Sequence, residues 1–333
     1  IDENRMSYAL NTLAKHYVGI GKDEKVLQEA AKSYSVNPKS EMYKLPAMYV
    51  GEYAERDAEA TLKLWQRLIV ELQNQELMDV FNLETKLFPC LVDMRFKGVR
   101  VDLEHAANLK KNLIIRENKI ISKIKELTGI NVEIHAARSI AKAFDKLKLP
   151  YDRTEKSNEP SFTKNFLQNH PHELARSIAD AREINKAHTT FIDSITKHSA
   201  KGRIHADINQ IRSDQGGTVT GRFSMSNPNL QQIPARHPEI GPMIRSIFIP
   251  EENTTWGSFD YSQQEPRILV HYAKLQNLDG VDEIVNAYND GDADFHQVVA
   301  DMAGIERKQA KTINLGLMYG MGKNKLMSEL GLM

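Results

Sequence analysis

The sequence predicts an α+β protein that is mainly helical. Apolar residues recur at helical spacing through most of the first 200 residues and again from residue 294 onward. Strand-like segments are short and lie only between residues 203 and 261, so any sheet must occupy a limited part of the chain. A chain of 333 residues is long enough for two or three domains.

The first 130 residues are predicted to be mostly helical. Residues 7–17 and 53–72 carry apolar residues on one helical face, and Pro89 is expected to open a new segment. A turn and a short extended piece at residues 97–102 lead to Asp102, which is suited to cap the following helix. That amphipathic helix is predicted over residues 103–128 and is closed by Gly129.

The later elements include both helices and strands. A loop-rich stretch at residues 150–161 precedes helices that are predicted from about residue 163 to residue 198. Three strands are then predicted, and they lie at residues 203–211, 244–250 and 256–261.

Composition excludes several classes of protein. Lysine plus arginine and aspartate plus glutamate balance at 44 each, so net charge does not point to any partner. The single cysteine, Cys90, excludes a disulfide framework and a zinc site built from several cysteines, and it fits a reducing compartment. No run approaches the ~20 apolar residues that a membrane-spanning helix needs, so no membrane association is expected.

The stretch RKQAKTINLGLMYGMG, residues 307–322, carries the most specific pattern in the chain. It places Arg307, Lys311, Leu315 and Tyr319 four residues apart, and four steps of about 100° put them along one stripe of a helix. Two cations, an apolar residue and an aromatic ring on one stripe can grip a triphosphate and stack on a base. Taken alone, the stretch fits better with a surface helix that carries two solvated cations and an apolar edge.

In the stretch DYSQQEPR, residues 260–267, Asp260 follows a predicted strand. Its carboxylate would project from a sheet edge toward a divalent metal ion, with the Tyr261 carbonyl as a neighbouring oxygen ligand. The alternative for an aspartate in this position is a helix N-cap.

The stretch TGRFSMSNPNLQQIP, residues 220–234, is a loop rich in hydrogen-bond donors. Minor-groove edges of all base pairs present similar acceptors, so such a loop can hold a duplex without reading its sequence. An ordinary polar loop is the alternative.

These three stretches, in this order, resemble the hallmarks of the family A DNA polymerases. This DNA polymerase I-like group includes many phage replicative enzymes, and the resemblance runs from about residue 85 to the end of the chain. It implies template-directed DNA synthesis, in which a primer 3′-OH attacks the α-phosphorus of a nucleotide and two Mg²⁺ ions stabilise the attacking and leaving oxygens. The implied partners are primer–template DNA, deoxynucleoside triphosphates and, as an option, a processivity factor.

The resemblance also implies a role for each matching residue. Asp260 and the Tyr261 carbonyl would bind metal, and Glu265 would be the steric gate that rejects a ribose 2′-OH. Arg307 and Lys311 would bind the triphosphate, with Lys311 as the proton donor to pyrophosphate. The other nucleotide contacts implied are Gln263, His296, Leu315 and Tyr319. The DNA contacts implied are Arg222, Asn229, Gln231, Gln232 and Arg267.

A second activity is implied near the start of the chain. Tyr53 and Asp57 match the Tyr-x3-Asp motif of the family's 3′–5′ exonuclease, and residues at i and i+4 share a helix face. Asp57 would bind one of the two Mg²⁺ ions of a complete exonuclease site, while Tyr53 would orient the attacking water. Residues 7–22 resemble the exonuclease segment that precedes this motif. An exposed helix pair without a catalytic role is the alternative.

The implied architecture is a partial right-hand polymerase that follows the end of an exonuclease domain. The exonuclease part would cover residues 1–80, the thumb and connecting helices 81–200, the first part of the palm 201–275, and the start of the fingers 276–333. The family's second palm carboxylate lies in a His-Asp-Glu motif, which this sequence lacks. The first exonuclease motifs are also missing. We therefore expect an internal fragment that is inactive or nearly so alone.

One departure from the family pattern and two rival hypotheses remain open at this point. Leu315 stands where the family usually has Phe or Tyr, which predicts altered discrimination at the sugar 3′ position. One rival is a single-subunit RNA polymerase, although a bulky acid such as Glu265 argues against ribonucleotide use. The other is a non-catalytic DNA-binding protein descended from a polymerase. The expected location is the cytoplasm of a bacterial cell or a phage-infected host.

Overall fold

A computed structural model describes residues 1–329 apart from residues 3, 6, 22, 155, 213–215, 236, 292 and 293. It confirms the α+β class with helices predominating. The chain divides into two compact units, Ile1–Thr255 and Trp256–Met333. In the part of the chain that the structure describes, no helix is both long enough and apolar enough to cross a membrane.

The first unit contains helices, short strands and one π-helical segment at Ala187–Ile192. Its helices are α1 (Leu10–Val18), α2 (Lys25–Ser33), α3 (Ala47–Asn74), α4 (Met78–Lys97), α5 (Leu103–Thr128), α6 (Ala137–Lys146), α7 (Lys164–Asn169), α8 (Glu173–Lys186), α9 (Asp193–His198) and α10 (Ile240–Arg245). Its strands are β1 (Val99–Arg100), β2 (Asp152–Arg153), β3 (Pro160–Ser161), β4 (Ser199–Ala200), β5 (Arg203–Ile204), β6 (Asp207–Asn209) and β7 (Ser224–Ser226).

Helix α5 forms as the sequence predicts. The Asp102 carboxylate accepts a hydrogen bond from the His105 backbone N–H at 2.8 Å, and Gly129 ends the helix in the left-handed conformation at φ 65°. The side chains of Ala106, Leu113 and Ile124 face inward and are buried. Glu117 on the same helix is also buried, and two apolar clusters pack along α5.

The expectation that Pro89 opens a new segment is wrong, because Pro89 lies inside α4. Proline removes one helical hydrogen bond, but here eleven helical residues precede it and eight follow it. Leu91, two residues after the proline, is buried, and Gly98 at φ 63° ends the helix. The helical segments on both sides therefore outweigh the local cost of the proline.

The predicted strands form only in part. Residues 203–211 split into β5 and β6, where β5 pairs with β1 and β4, and β6 pairs with β7, all antiparallel. The predicted strand at 244–250 is wrong, because α10 extends to Arg245 and only Phe248 makes a bridge, to Val101. Ile240, Ile244 and Ile247 are buried at helical spacing, which explains the difference.

Two large apolar clusters fill the first unit. One lies around Phe144, between the end of α5 and helices α6 to α8. The other joins the start of α5, the π-helical segment, β5 and α10. Together they hold the segment that leads into and out of the β6–β7 hairpin, where the donor-rich stretch lies.

The second unit is helical in its described part. Its helices are α11 (Gln264–Leu275), α12 (Val281–Asn289), α13 (Phe295–Ala303), α14 (Arg307–Met318) and α15 (Lys323–Glu329). Val270, Val281 and Tyr288 form a small buried cluster between α11 and α12. Helix α14 begins with a capping box formed by Glu306 and Gln309. The helix predicted from residue 294 onward is thus confirmed as two successive helices, α13 and α14.

Candidate functional site

Asp260 lies in an extended but unpaired segment. The strand predicted at residues 256–261 does not form, and Phe259 and Tyr261 are 97% and 82% exposed. A strand needs a partner for its backbone hydrogen bonds, and alternation of side chains cannot replace one. The helix-cap alternative for Asp260 is also wrong, since Gln263 is the N-cap of α11. A pocket of about 480 Å³ is lined by residues that follow Asp260 in sequence, namely Tyr261, Ser262, Gln264, Arg267 and Ile268.

The stripe predicted on residues 307–319 lies on α14 and faces outward. Arg307 and Lys311 are exposed, Leu315 is half-buried, and Tyr319 at the C-cap is 67% exposed. The opposite face of the helix is buried through Ala310, Ile313 and Asn314. The packing of α14 therefore presents two cations and one aromatic ring to solvent on a single face.

Asp294 joins the starts of α13 and α14. Its Oδ1 accepts hydrogen bonds from the backbone N–H groups of His296 and Gln297, both at 3.1 Å. Its Oδ2 accepts from Arg307 Nε at 2.6 Å. This hydrogen bond from Arg307 holds the pKa of Asp294 below its usual value, although some burial opposes it. Arg307 is thereby fixed at one end of the exposed stripe.

His296 is buried behind that stripe. Its Nδ1 lies 3.2 Å from Asn314 Nδ2, and only 4% of the residue is exposed. Burial lowers the pKa of His296 below its usual value, and the charges of Lys311 and Arg307 lower it further, against the opposing charge of Asp294. The imidazole is therefore neutral at pH 7, and Asn314 donates to Nδ1 in the tautomer protonated at Nε2.

Glu265 and Tyr319, which are far apart in sequence, meet in the second unit. The Tyr319 hydroxyl donates a short hydrogen bond to Glu265 Oε1. This contact joins the first turn of α11 to the C-cap of α14. The structure thus brings together two residues for which the sequence implied separate nucleotide contacts.

Gln263 and Arg267 both make contacts inside the second unit. Gln263 Oε1 accepts from the Phe295 backbone N–H at 3.1 Å and from the Tyr288 hydroxyl at 3.2 Å. Arg267 donates to the Ser262 carbonyl at 3.0 Å, and its guanidinium lies over the Tyr288 ring at 4.6 Å. Both side chains thus order the turn that follows Asp260, and their implied contacts with primer and nucleotide stay predictions.

The donor-rich stretch lies in the first unit and includes the segment after β7. We call residues 229–234 the Gln-rich loop. Asn229 Oδ1 accepts from the Gln231 backbone N–H at 3.1 Å, and Gln231 Nε2 donates to the Phe223 carbonyl at 3.1 Å. Gln231, Gln232 and Arg222 are exposed. The loop is therefore ordered by its own hydrogen bonds while its side chains remain accessible.

Tyr53 and Asp57 lie one turn apart on α3, as the spacing predicts. Tyr53 packs against a small apolar cluster around Leu27. Asp57 borders a small crevice between α1 and α3, where Asn11 is a neighbour. The geometry is compatible with the exonuclease motif, and the role of both residues stays a prediction.

Each of the two predicted magnesium sites contains one carboxylate from this chain. Asp260 and Asp57 each supply one hard oxygen ligand of the kind Mg²⁺ prefers. Across the described residues, however, no three His, Cys, Asp or Glu side chains come close enough to hold a metal ion. The described residues therefore do not form a complete metal centre at either site.

Sequence reasoning missed the partners of the site residues. Asn314 was not singled out, although it is a polar residue on the same face as Ala310 and Ile313, which is a signal for a buried hydrogen bond. Tyr288 was also missed, because its contacts with Gln263 and Arg267 depend on how α12 packs against α11.

The sequence of this chain is similar to those of known proteins. The family model "DNA polymerase family A" matches residues 103–333. A "DNA-directed DNA polymerase" of Pseudomonas phage M6 is 38% identical over 98% of this chain and 52% of its own length. The "DNA polymerase DpoZ" of Acinetobacter phage SH-Ab 15497 is 32% identical over 100% of this chain and 57% of its own length.

Among solved structures, the POL domain of Pol1 from M. smegmatis, in complex with DNA primer-template and dNTP, has a TM-score of 0.75 and 22% sequence identity. The similarity covers 99% of this chain and 54% of that chain, and it shows a shared fold. This chain spans about half the length of the curated phage relatives it matches. Since the family model covers more than half of the chain, the chain belongs to the family A DNA polymerases.

Proposed function

We propose that this chain contributes the triphosphate-binding helix and a minor-groove loop to a template-directed DNA polymerase. That enzyme adds deoxynucleotides to a primer 3′-OH. The observation that carries the proposal is the exposed stripe of α14, where Arg307, Lys311 and Tyr319 share one face. Family membership supports the proposal because the relatives are DNA polymerases by name.

In the proposed reaction, the primer 3′-oxygen forms a bond to the α-phosphorus as the bond to pyrophosphate breaks. Arg307 and Lys311 neutralise charge on the β- and γ-phosphates, and Lys311 donates a proton to the leaving pyrophosphate. His296 is buried beside these cations and, being neutral, adds no third positive charge to the site. The chain mostly positions the triphosphate and stabilises its charge.

Mg²⁺ is the proposed cofactor, and it would supply Lewis-acid stabilisation in the complete enzyme. Asp260 and the Tyr261 carbonyl are the ligands we propose from this chain. Because the described residues hold no complete metal centre, we propose that these 333 residues alone are inactive or nearly so. Primer extension by the isolated chain at the rate of a full-length enzyme would refute this point.

Glu265 is proposed as the gate against ribonucleotides, and the hydroxyl of Tyr319 holds its carboxylate in place. A carboxylate held at this position would favour a DNA polymerase over the RNA polymerase alternative, which would need room for a 2′-OH there. Ribonucleotide incorporation by a full-length enzyme with Tyr319→Phe tests the link. The substitution should raise the ribonucleotide fraction, and an unchanged fraction would remove Tyr319 from the gate.

A 3′–5′ proofreading activity is proposed for the complete protein, with Asp57 as a metal ligand and Tyr53 as the group that orients water. The adjacent positions of both residues on α3 support this role. Because its named relatives come from phages and bacteria, we propose the cytoplasm of a bacterial cell or a phage-infected host as its location. Excision of a mismatched primer end that persists in an Asp57→Ala variant would argue against the exonuclease assignment.

DNA binding by the isolated chain tests the part of the proposal that these residues can perform alone. Fluorescence anisotropy with primer–template duplexes of unrelated sequence should give similar Kd values, because the minor groove presents similar acceptors throughout. Gln231→Ala and Gln232→Ala should weaken binding to every duplex equally, whereas Gln75→Ala, at an exposed position outside the loop, should not. Absence of binding, or a strong preference for one sequence, would contradict the proposal.

A further inference from the structure

His237 follows the Gln-rich loop and makes hydrogen bonds through both ring nitrogens. Its Nδ1 accepts from the backbone N–H groups of Ile240 at 2.9 Å and Glu239 at 3.2 Å. Since Nδ1 accepts two hydrogen bonds, the ring proton must sit on Nε2. His237 therefore joins the start of α10 through one ring nitrogen and is free to donate through the other.

The acceptor for Nε2 is Glu183 on α8, at 2.8 Å to Oε2. The other oxygen, Oε1, accepts from Lys164 Nζ at 2.8 Å and from Gln168 Nε2 at 3.1 Å. Burial acts to raise the pKa of Glu183, but the hydrogen bond and charge of Lys164 and the hydrogen bond of His237 outweigh it, and the pKa is lowered. Three donors converge on one carboxylate, so an amide at this position would turn its own N–H toward a donor.

Two more contacts hold the same segment. Arg245 Nε donates to the Pro234 carbonyl at 3.1 Å, at the last residue of the Gln-rich loop. Arg116 on α5 pairs with Glu239 through both guanidinium nitrogens, one of them at 2.7 Å. Pro234, His237 and Glu239 are therefore held by contacts from α10, α8 and α5 respectively. Gln231 and Gln232 of the loop stay exposed, as described above.

We propose that Glu183 is a positioning residue for DNA contact, which acts through His237 to fix the end of the Gln-rich loop. The inference deepens the proposed function, because it assumes that Gln231 and Gln232 contact DNA. Glu183 itself lies on α8, and its effect on DNA must pass through the hydrogen bond to His237. Loss of that bond leaves the C-terminal end of the loop held by fewer contacts, so its donors are less well placed.

Amide hydrogen exchange in the isolated chain tests the contact without DNA. Glu183→Gln should speed exchange of the amides at residues 230–233 about five-fold, the equivalent of one hydrogen bond. His237→Asn should do the same, because asparagine can cap α10 but is too short to reach Glu183. The matched control is Glu173→Gln, which breaks an ion pair with Lys123 at the start of the same helix. Unchanged exchange in the Glu183 variant would overturn the proposal.

A double-mutant cycle in DNA binding tests the consequence. Glu183→Gln should raise the Kd for a primer–template duplex about five-fold in the unmodified chain. In a chain that already carries Gln231→Ala and Gln232→Ala, the same change should cost nothing further, because the groups it positions are gone. An equal loss in both backgrounds would overturn the positioning role. Failure of the unmodified chain to bind DNA would instead count against the proposed function, and exchange would still decide the role of Glu183.

Discussion

One carboxylate, that of Asp294, determines how α13 and α14 begin. Oδ1 caps α13 and Oδ2 pairs with Arg307, so the first exposed cation of α14 is fixed by the helix before it. The pKa of Asp294 is lowered by this pair, so its ionised form stabilises the fold. That contribution is present above the usual value of 3.8 and is lost as the pH falls through the lowered pKa.

The charges around His296 give a prediction at the residue scale. Because burial and two cations lower its pKa, His296 should titrate below 6.5, as followed by the NMR shift of its ring protons. Asp294→Asn keeps the cap of α13 but removes the charge that raises the pKa, so the pKa should fall further. Lys311→Met removes a cation that lowers the pKa of His296, so that pKa should rise.

Stability should follow the same titration. The lowered pKa means that neutral His296 favours the folded state, so its contribution is complete above pH 6.5 and is lost as the pH falls through the folded value. Amide exchange in α13 and α14, corrected for its intrinsic pH dependence, should therefore be faster at pH 5 than at pH 7. A His296 pKa above 6.5, or a pKa that changes in neither the Asp294→Asn nor the Lys311→Met variant, would contradict these electrostatic assignments.

Among the elements, those with local signals were predictable from the sequence. Asp102 and Gly129 mark the two ends of α5, and the structure confirms both. The strand prediction at residues 244–250 was wrong because short apolar runs fit either period, and Ile240 and Ile244 are buried one turn apart on α10. The segment before Asp260 was predicted to be a strand, but no strand forms there. A strand depends on a hydrogen-bonding partner that the sequence pattern cannot reveal.

The cap of α5 gives a prediction at the element scale. Asp102→Ala removes the acceptor for the His105 N–H and should lower the free energy of unfolding by about 1 kcal/mol. Asp102→Asn retains a good cap and should cost only a few tenths as much. Urea unfolding followed by far-UV circular dichroism measures both. Equal losses for the two variants would assign the effect to the charge of Asp102 rather than to its hydrogen bond.

For the whole molecule, the order of three motifs was enough to predict the family, which the comparisons confirm. The contacts that organise each site were not predictable. Glu265 and Tyr319 lie 54 positions apart, and His237 meets Glu183 across a separation of 54 as well. No local pattern encodes such pairs, because they depend on how the helices pack. The candidate site residues could therefore be identified from the sequence, whereas the hydrogen bonds between them could be identified only from the structure.

The rate of templated nucleotide incorporation by a full-length polymerase that contains this chain tests the central claim most directly. We expect the complementary deoxynucleotide to be added, and Lys311→Met to slow that step by about 100-fold or more, because a cation on the leaving phosphates is lost. Asp260→Asn should have at least as large an effect, whereas Lys308→Met, an exposed lysine of α14 outside the stripe, should change little. Full activity in the Lys311 and Asp260 variants would contradict the account.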